Sequence, residues 1–245
     1  MKRIAFGLLP CVVMVSCDLV PRSNEQATAP AAPPALTVDS AQLWRPLELA
    51  HLDDNVKHDT LLIQTTFRLG DSTYVMVASN VEETKEGLRL VLYRPRPDSS
   101  AEVIAMSKPG YDSRTMLPTF FRGPDPAEGL LVLANMGERD SWGQEVFLLK
   151  DGRFQELGFL NVAVPTWEQR EEGPVRRLQS VAPNAVVQGP VNDLNIAFQG
   201  DSLLLYDDLR GHQEVSLDPA RVRYSIKEGK AVLVLDGEAL TAAPL

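Results

Sequence analysis

The chain has 245 residues, of which 44% are hydrophobic and 23% are charged, and its formal net charge at pH 7 is −9. This composition is typical of a folded protein, and a negative surface is repelled by phosphate backbones, which argues against nucleic acid as a partner. Both cysteines, Cys11 and Cys17, lie near the start of the chain. The remainder therefore offers neither a thiol nucleophile nor a cysteine ligand for zinc.

The N-terminal segment begins with the positive pair Lys2-Arg3 and continues with an apolar stretch from Ile4 to Val15. That stretch is shorter than the about 20 residues that span a bilayer, and its length and positive flank are typical of a secretory signal. It ends in Met14-Val15-Ser16-Cys17. A small residue directly before a cysteine at this point resembles the signal peptide of bacterial lipoproteins, although Met14 stands where that family usually has leucine.

The resemblance implies that residues 1–16 are removed as a signal peptide and that Cys17 carries the lipid. Two acyl chains hold a protein stably on a membrane. The expected location is therefore the bacterial cell envelope, lipid-anchored to a membrane, with the globular part in the periplasm or at the cell surface. Removal of Lys2 and Arg3 takes the formal charge from −9 to −11, so the lipid, and not surface charge, would provide the attachment.

Residues 17–37 combine the predicted lipidated cysteine with a linker rich in proline and alanine. Such a segment has too few large apolar residues to fold, so we expect a disordered tether. From residue 38 the composition becomes globular, and residues 38–245 are predicted to form one domain. The charged stretch from Gln169 to Gly173 is a candidate internal boundary, and a long loop within one domain explains it equally well.

Short runs rich in apolar and β-branched residues dominate the globular part. Turn residues separate them at Gly70-Asp71, Asp151-Gly152, Gly200-Asp201 and Glu228-Gly229, and we expect a hairpin at each. Helical patterns are few, with one or two short helices expected near residues 41–52 and 219–221. The pattern predicts an all-β fold, a single antiparallel β-meander domain of about 12–16 short strands. Sandwich and propeller-like arrangements both remain open.

An acidic segment around an aromatic residue is the first candidate site. It contains Glu138, Asp140, Trp142 and Glu145. An aromatic ring beside carboxylates can stack on a sugar and hydrogen-bond its hydroxyls, and carboxylates about 5–9 Å apart can hydrolyse a glycosidic bond. The alternative is a hairpin loop whose tryptophan packs back on the core. Trp167 beside Glu168 is a weaker version of the same pattern.

A cluster of histidines and carboxylates is the second candidate site. It consists of His51, Asp53, Asp54, His58 and Asp59. Histidine with carboxylates can bind zinc, and carboxylates can bind calcium. The spacing matches no closed metal motif, so these residues are weak candidates, and we expect no metal and no cofactor.

Together these observations favour an envelope-anchored lipoprotein whose β domain binds a ligand or partner without catalysis. The expected partners are the membrane, through the N-terminal lipid, and an envelope glycan or protein, but no nucleic acid. The alternative is a carbohydrate-active enzyme or glycan-binding protein that uses the acidic and aromatic loop around Trp142.

Overall fold

Alternating apolar and polar residues, interrupted by turn residues, fold most of this chain into β-strands. The computed structural model describes residues 39–52, 56–70, 72–82, 87–110, 116–136, 142–207 and 213–240, all of which belong to one compact unit. The predicted signal peptide, Cys17 and the linker to residue 37 lie outside the described residues.

The strands follow one another with short connections. In chain order they are β1 (Leu43–Leu47), β2 (His51–Leu52), β3 (Leu61–Arg68), β4 (Tyr74–Asn80), β5 (Arg89–Pro95), β6 (Ala101–Met106), β7 (Pro118–Arg122), β8 (Leu130–Met136), β9 (Gly143–Lys150), β10 (Arg153–Leu160), β11 (Val162–Arg170), β12 (Gly173–Gln179), β13 (Ala185–Gln188), β14 (Asp193–Phe198), β15 (Leu203–Asp207), β16 (Gln213–Leu217), β17 (Val222–Lys227), β18 (Lys230–Leu235) and β19 (Glu238–Leu240). Single turns of 3₁₀ helix occur at Ser40–Gln42, Pro126–Glu128, Ala182–Asn184 and Pro219–Arg221. In the described ranges, no helix has the length and apolar character that crossing a membrane requires.

Three sheets contain all of these strands, and every neighbouring pair is antiparallel. A ten-stranded sheet has the order β10-β9-β8-β7-β1-β13-β14-β17-β18-β19, a five-stranded sheet the order β2-β3-β4-β5-β6, and a four-stranded sheet the order β12-β11-β15-β16. The prediction of an all-β, antiparallel fold is confirmed. The sheets pack as layers of unequal size instead of repeating as propeller blades.

Strands β8 and β9 are buried on both faces, which is unusual for antiparallel strands. Leu133 and Val146 are cross-strand partners and belong to one hydrophobic core. The neighbouring partners Val132 and Phe147 point the other way and belong to a second core. All four side chains are at most 1% exposed. These two strands are therefore a shared layer between two cores.

The second core lies between this layer and the five-stranded sheet. Val75 and Val77 of β4 and Leu90 of β5 pack there with Phe120 of β7 and with Phe147. The rings of Phe67 and Phe120 come from the two different sheets, and their centroids are 5.6 Å apart. Burial of this apolar surface is what holds the two sheets face to face.

The first core fills a half-barrel, because the ten-stranded sheet curls until β10 approaches β18. Gly158 of β10 has a φ of +118°, and a Cβ atom there would lie 3.0 Å from the Cβ of Ala231 on β18. Glycine is required both by this backbone angle and by the close approach. The half-barrel is completed by the four-stranded sheet, since Val162 of β11 and Leu205 of β15 belong to the same core.

Strand β1 joins the two halves of the ten-stranded sheet. It pairs with β7 through Pro46 and Phe121 and with β13 through Trp44 and Val187. The Trp44 side chain is 1% exposed, and its Nε1–H donates a hydrogen bond of 2.9 Å to the carbonyl oxygen of Gly189. A buried indole with a satisfied donor fixes β1 firmly in place.

Two predicted hairpin turns have the geometry that their sequences imply. Asp151 and Gly152 both have positive φ, 49° and 69°, and they link Lys150 to its cross-strand partner Arg153. Glu228 and Gly229 repeat the arrangement between β17 and β18, with φ of 51° and 75°. Two consecutive positive φ angles are typical of the type I′ turn, which matches the twist of paired strands.

The hairpin expected across Gly200 is wrong. Strand β14 pairs with β13 and β17, and β15 pairs with β11 and β16, so the two strands belong to different sheets. Because β14 has neighbours on both sides, no free edge is left for β15. The chain instead crosses from the ten-stranded to the four-stranded sheet at this turn.

The predicted strand number was too low, and the difference lies in segments that carry proline or are short. Pro165 lies inside β11, Pro46 inside β1 and Pro118 begins β7. Proline lowers the strand signal of a sequence. Near residues 41–52 the expected helix is one 3₁₀ turn followed by strands, and the expected helical turn at Pro219–Arg221 is confirmed.

We expect Leu133→Ala and Phe147→Ala each to lower the free energy of unfolding by about 2–5 kcal/mol, because each removes buried side-chain volume from one of the two cores. Both variants should still unfold in a single transition, since β8 and β9 belong to both cores. Urea unfolding followed by tryptophan fluorescence and by circular dichroism measures this. Leu62→Ala is the control, at a side chain that is 60% exposed, with an expected change within about 0.5 kcal/mol. Separate transitions in either core variant would contradict the shared layer.

Candidate functional site

The acidic and aromatic segment is only partly described. Glu138 and Asp140 lie outside the described residues, so their candidacy stays a prediction. Trp142 directly precedes β9, and Glu145 lies within it. The structure gives these two side chains different neighbours.

Glu145 is buried at the edge of the second core and contacts a lysine. Its side chain is 8% exposed, and its Oε1 lies 3.1 Å from Nζ of Lys108. The same ammonium lies 2.5 Å from Oε1 of Glu156 on β10. Lys108 follows β6, so this contact joins the five-stranded sheet to β9 and β10. The sequence does not reveal the trio, because Lys108 is 37 residues from Glu145 and 48 from Glu156.

The surroundings of Glu145 raise the pKa of its carboxyl group above the ordinary value. Burial raises the pKa of its carboxyl group, and the hydrogen bond from Lys108 and the positive charge of that lysine oppose this shift only in part. Its second oxygen, Oε2, is buried and accepts no hydrogen bond from any residue in the described ranges. The pKa of Lys108 is raised by its contacts with Glu156 and Glu145, although its partial burial acts in the opposite direction.

The four-stranded sheet has one face towards the half-barrel and one face away from it. Val162 of β11 and Leu205 of β15 are partners and face the half-barrel core. Their neighbours Ala163 and Leu204 are also partners, and they form a separate small cluster with Leu178 of β12. This second face is where the tryptophan of the acidic segment lies.

Trp142 packs against that small cluster. Its ring centroid is 4.7 Å from that of Tyr206, with an angle of 58° between the rings. Tyr206 is fixed in turn by Asn161, whose carbonyl oxygen accepts a 2.9 Å hydrogen bond from the Tyr206 backbone N–H. The half-buried Trp142 therefore contributes to packing, and it shares no described neighbour with Glu145.

Strand β11 extends beyond its sheet as a ribbon. It pairs with β15 only through Val162 and Ala163, whereas from Val164 to Arg170 it pairs with β12 alone. Trp167 lies in this ribbon and is 68% exposed. Because side chains alternate along a strand, Trp167 points to the same side as Ala163, which is the side that carries Trp142.

Six side chains define what we call the aromatic face of the four-stranded sheet. They are Trp142, Pro165, Trp167, Arg176, Tyr206 and Glu214, placed on one side by the pairings Pro165–Leu178, Trp167–Arg176 and Tyr206–Glu214. Arg176 Nη1 and Nη2 donate to Glu214 Oε2 and Oε1 at 2.7 and 3.3 Å. This bidentate ion pair reaches from β12 to β16, across the width of the sheet.

The opposite side of the ribbon carries a second ion-pair group. Glu168 Oε2 lies 2.9 Å from Nη2 of Arg170 and 3.2 Å from Nε of Arg177. Hydrogen bonds from Arg170 and then Arg177 hold the pKa of Glu168 below its usual value. Trp167 and Glu168, which are adjacent in sequence, therefore serve different faces.

The predicted metal cluster is also only partly described. Asp53 and Asp54 lie outside the described residues, and His51 is placed by its backbone alone, in β2. His58 Nδ1 lies 3.2 Å from Oγ1 of Thr60, which occupies one of its ring nitrogens, and Asp59 is exposed. In the described ranges, no group of three histidine, cysteine, aspartate or glutamate side chains is placed to hold a metal ion.

A concavity of about 520 Å³ lies at the turn between β9 and β10. Its lining includes Leu148, Lys150, Arg153 and Phe154. The carboxylate of Asp151 and the amide of Gln155 complete the lining, so the walls combine apolar side chains with two positive charges and one negative charge. None of the predicted site residues contributes to it.

Comparisons of this chain with protein-family models, with curated proteins and with solved structures found no match. The functional argument therefore rests on the geometry of the described residues.

Lys108→Met should lower the free energy of unfolding by about 1–3 kcal/mol at pH 7, because it leaves the buried Glu145 carboxylate without its positive partner. The pKa of Glu145 is raised above its ordinary value of 4.5. Protonated Glu145 therefore stabilises the folded state fully at pH values below 4.5. This contribution to the free energy of unfolding is lost as the pH rises through the pKa that Glu145 has in the folded state. The decrease in the free energy of unfolding that Lys108→Met causes should therefore be smaller at pH 4 than at pH 7.

Urea unfolding at both pH values measures this difference. Glu145→Gln is the control, since it removes the ionisable group and should reduce the dependence of stability on pH. Equal destabilisation of Lys108→Met at pH 4 and pH 7 would show that the lysine acts through packing alone.

Trp142→Ala should lower the free energy of unfolding by roughly 1–3 kcal/mol, because a half-buried ring that contacts Tyr206 is lost. Trp167→Ala is its matched control at the exposed position, with an expected change within about 0.5 kcal/mol. Thermal and urea unfolding of both variants provides the comparison. Equal stability of Trp142→Ala and the unchanged chain would contradict the packing role of Trp142.

Proposed function

We propose that this chain is a lipid-anchored envelope protein whose β domain binds a ligand or partner without catalysing its conversion. The anchor is proposed from the segment that ends in Val15-Ser16-Cys17 after an apolar stretch. The globular part then stands away from the membrane on the linker of residues 17–37, at up to about 3 Å per residue.

The observation that carries the binding role is the aromatic face. Trp167 exposes 68% of its surface on a projecting ribbon, and next to it the Arg176–Glu214 pair offers donors and acceptors. Large exposed aromatic residues beside polar groups are typical of interaction sites.

The surroundings of Glu145 support a non-catalytic role. A glycosidase needs two carboxyl groups on either side of a substrate bond. Glu145 and Glu156 are close to each other, but the Lys108 ammonium lies between them and contacts both. The trio is better suited to holding the five-stranded sheet against β9 and β10 than to receiving a substrate.

Cys17→Ser should abolish lipid attachment, because the thiol of Cys17 is the proposed acceptor. Cells that express the chain would be fed an alkyne analogue of palmitate, and labelling of the chain would be read by fluorescence in a gel. Cys11→Ser is the matched control and should be labelled as well as the unchanged chain. Equal labelling of Cys17→Ser, or labelling of no form of the chain, would reject the anchor.

A further inference from the structure

We propose that the aromatic face binds a neutral oligosaccharide, with one pyranose ring stacked on Trp167 and its hydroxyl groups contacting Arg176 and Glu214. This inference deepens the proposed function and relies on it only for the location of the protein in the envelope. It moves the candidate site from the loop around Trp142 to the ribbon formed by β11 and β12.

Trp167 has the properties of a sugar platform. The indole is exposed, and its neighbours along the same side of β11 are Pro165 and Gln169. A pyranose ring has one face lined by C–H groups, which pack on an aromatic surface and remove apolar area from water. The strand backbone and the pairing with Arg176 hold the backbone of this residue in place.

The Arg176–Glu214 pair supplies the polar part of the site. Both side chains are partly exposed, at 39% and 37%, so a ligand can reach them. The guanidinium donates and the carboxylate accepts, and sugar hydroxyls can do both. Because the two charges compensate each other, the pair favours a neutral ligand over an ionic one.

The length of the face suits an extended ligand. At the base of the ribbon, Ala163 lies beside Trp142 and Tyr206. It is four residues from Trp167 along an extended strand, which corresponds to about 13 Å. Several linked sugar rings can lie along this distance. The half-buried Trp142 and Tyr206 would then form the wall at which the ligand ends.

Charge argues against the other classes of ligand that use exposed tryptophan. The ribbon of residues 162–179 carries three glutamates and three arginines and adds no net charge of its own, but the whole chain has a formal charge of −9. Anionic lipid headgroups and nucleic acids would be repelled by the chain as a whole. An uncharged glycan would not be.

The test is a calorimetric titration of the full chain, purified in a detergent without a sugar headgroup, with chitohexaose and with cellohexaose. We expect binding of at least one of them. Trp167→Ala should weaken it about tenfold or more, which corresponds to about 1.4 kcal/mol. Trp167→Phe should retain most of the affinity, because an aromatic surface remains. Leu117→Ala, at an apolar side chain that is 61% exposed elsewhere, should bind as the unchanged chain does.

Three results would overturn the inference: no binding of either oligosaccharide, undiminished binding by Trp167→Ala, or binding to phosphatidylglycerol vesicles that Trp167→Ala abolishes while neither glycan binds. Release of shorter sugars during the titration would reject the non-catalytic role and favour the carbohydrate-active enzyme. Failure of the titration leaves the lipid label on Cys17 unaffected, so the two proposals are tested separately.

Discussion

The burial of β8 and β9 on both faces is the constraint on which the rest of the molecule depends. An antiparallel strand that is covered on one face can alternate apolar and polar residues, but the paired segments 130–134 and 146–149 of these two strands are apolar on both faces. The buried polar residues Asn135, Gln144 and Glu145 lie together at one end of the pair. Seven of the eight residues of β9 are buried. The five-stranded sheet and the half-barrel are thereby fixed to a common layer, and the lysine that bridges Glu145 and Glu156 lies at the margin of one of the two resulting interfaces.

Strand alternation also separates residues that look like one site in the sequence. Trp142 and Glu145 are three positions apart, yet one contacts the four-stranded sheet and the other contacts Lys108 beside the five-stranded sheet. Trp167 and Trp142 are 25 positions apart and share one face. A period of two residues, combined with pairing between distant strands, decides which side chains can act together.

The turns and the fold class could be predicted from the sequence, because both depend on the chemistry of neighbouring residues. Turns at Asp151-Gly152 and Glu228-Gly229 have the backbone angles that their residues prefer, and the all-β class follows from the many short runs between such turns. Pairing between distant segments was not predictable, because nothing in the sequences of β14 and β15 indicates that they pair with strands of different sheets. Strand β11 was missed since Pro165 interrupts it. The proline is tolerated because at Pro165 the strand pairs with β12 alone, and the sequence does not contain this fact. The same limit applies to the site, because the sequence indicates Trp167 as a candidate but contains nothing that places Arg176 and Glu214 on the same face.

The position of β1 has a consequence for the order of folding. This strand precedes the other described strands in the chain, yet its partners β7 and β13 begin only at residues 118 and 185. Pairing of β1 with β7 and with β13 therefore closes two chain loops of very different length. The loss of chain entropy in both closures must be overcome before the halves of the ten-stranded sheet are joined. Until then the indole of Trp44 has no access to the carbonyl of Gly189, and the segment remains exposed. Folding is thus expected to end, not begin, at β1, the first of the described strands, and the ten-stranded sheet is completed only after its later strands have formed.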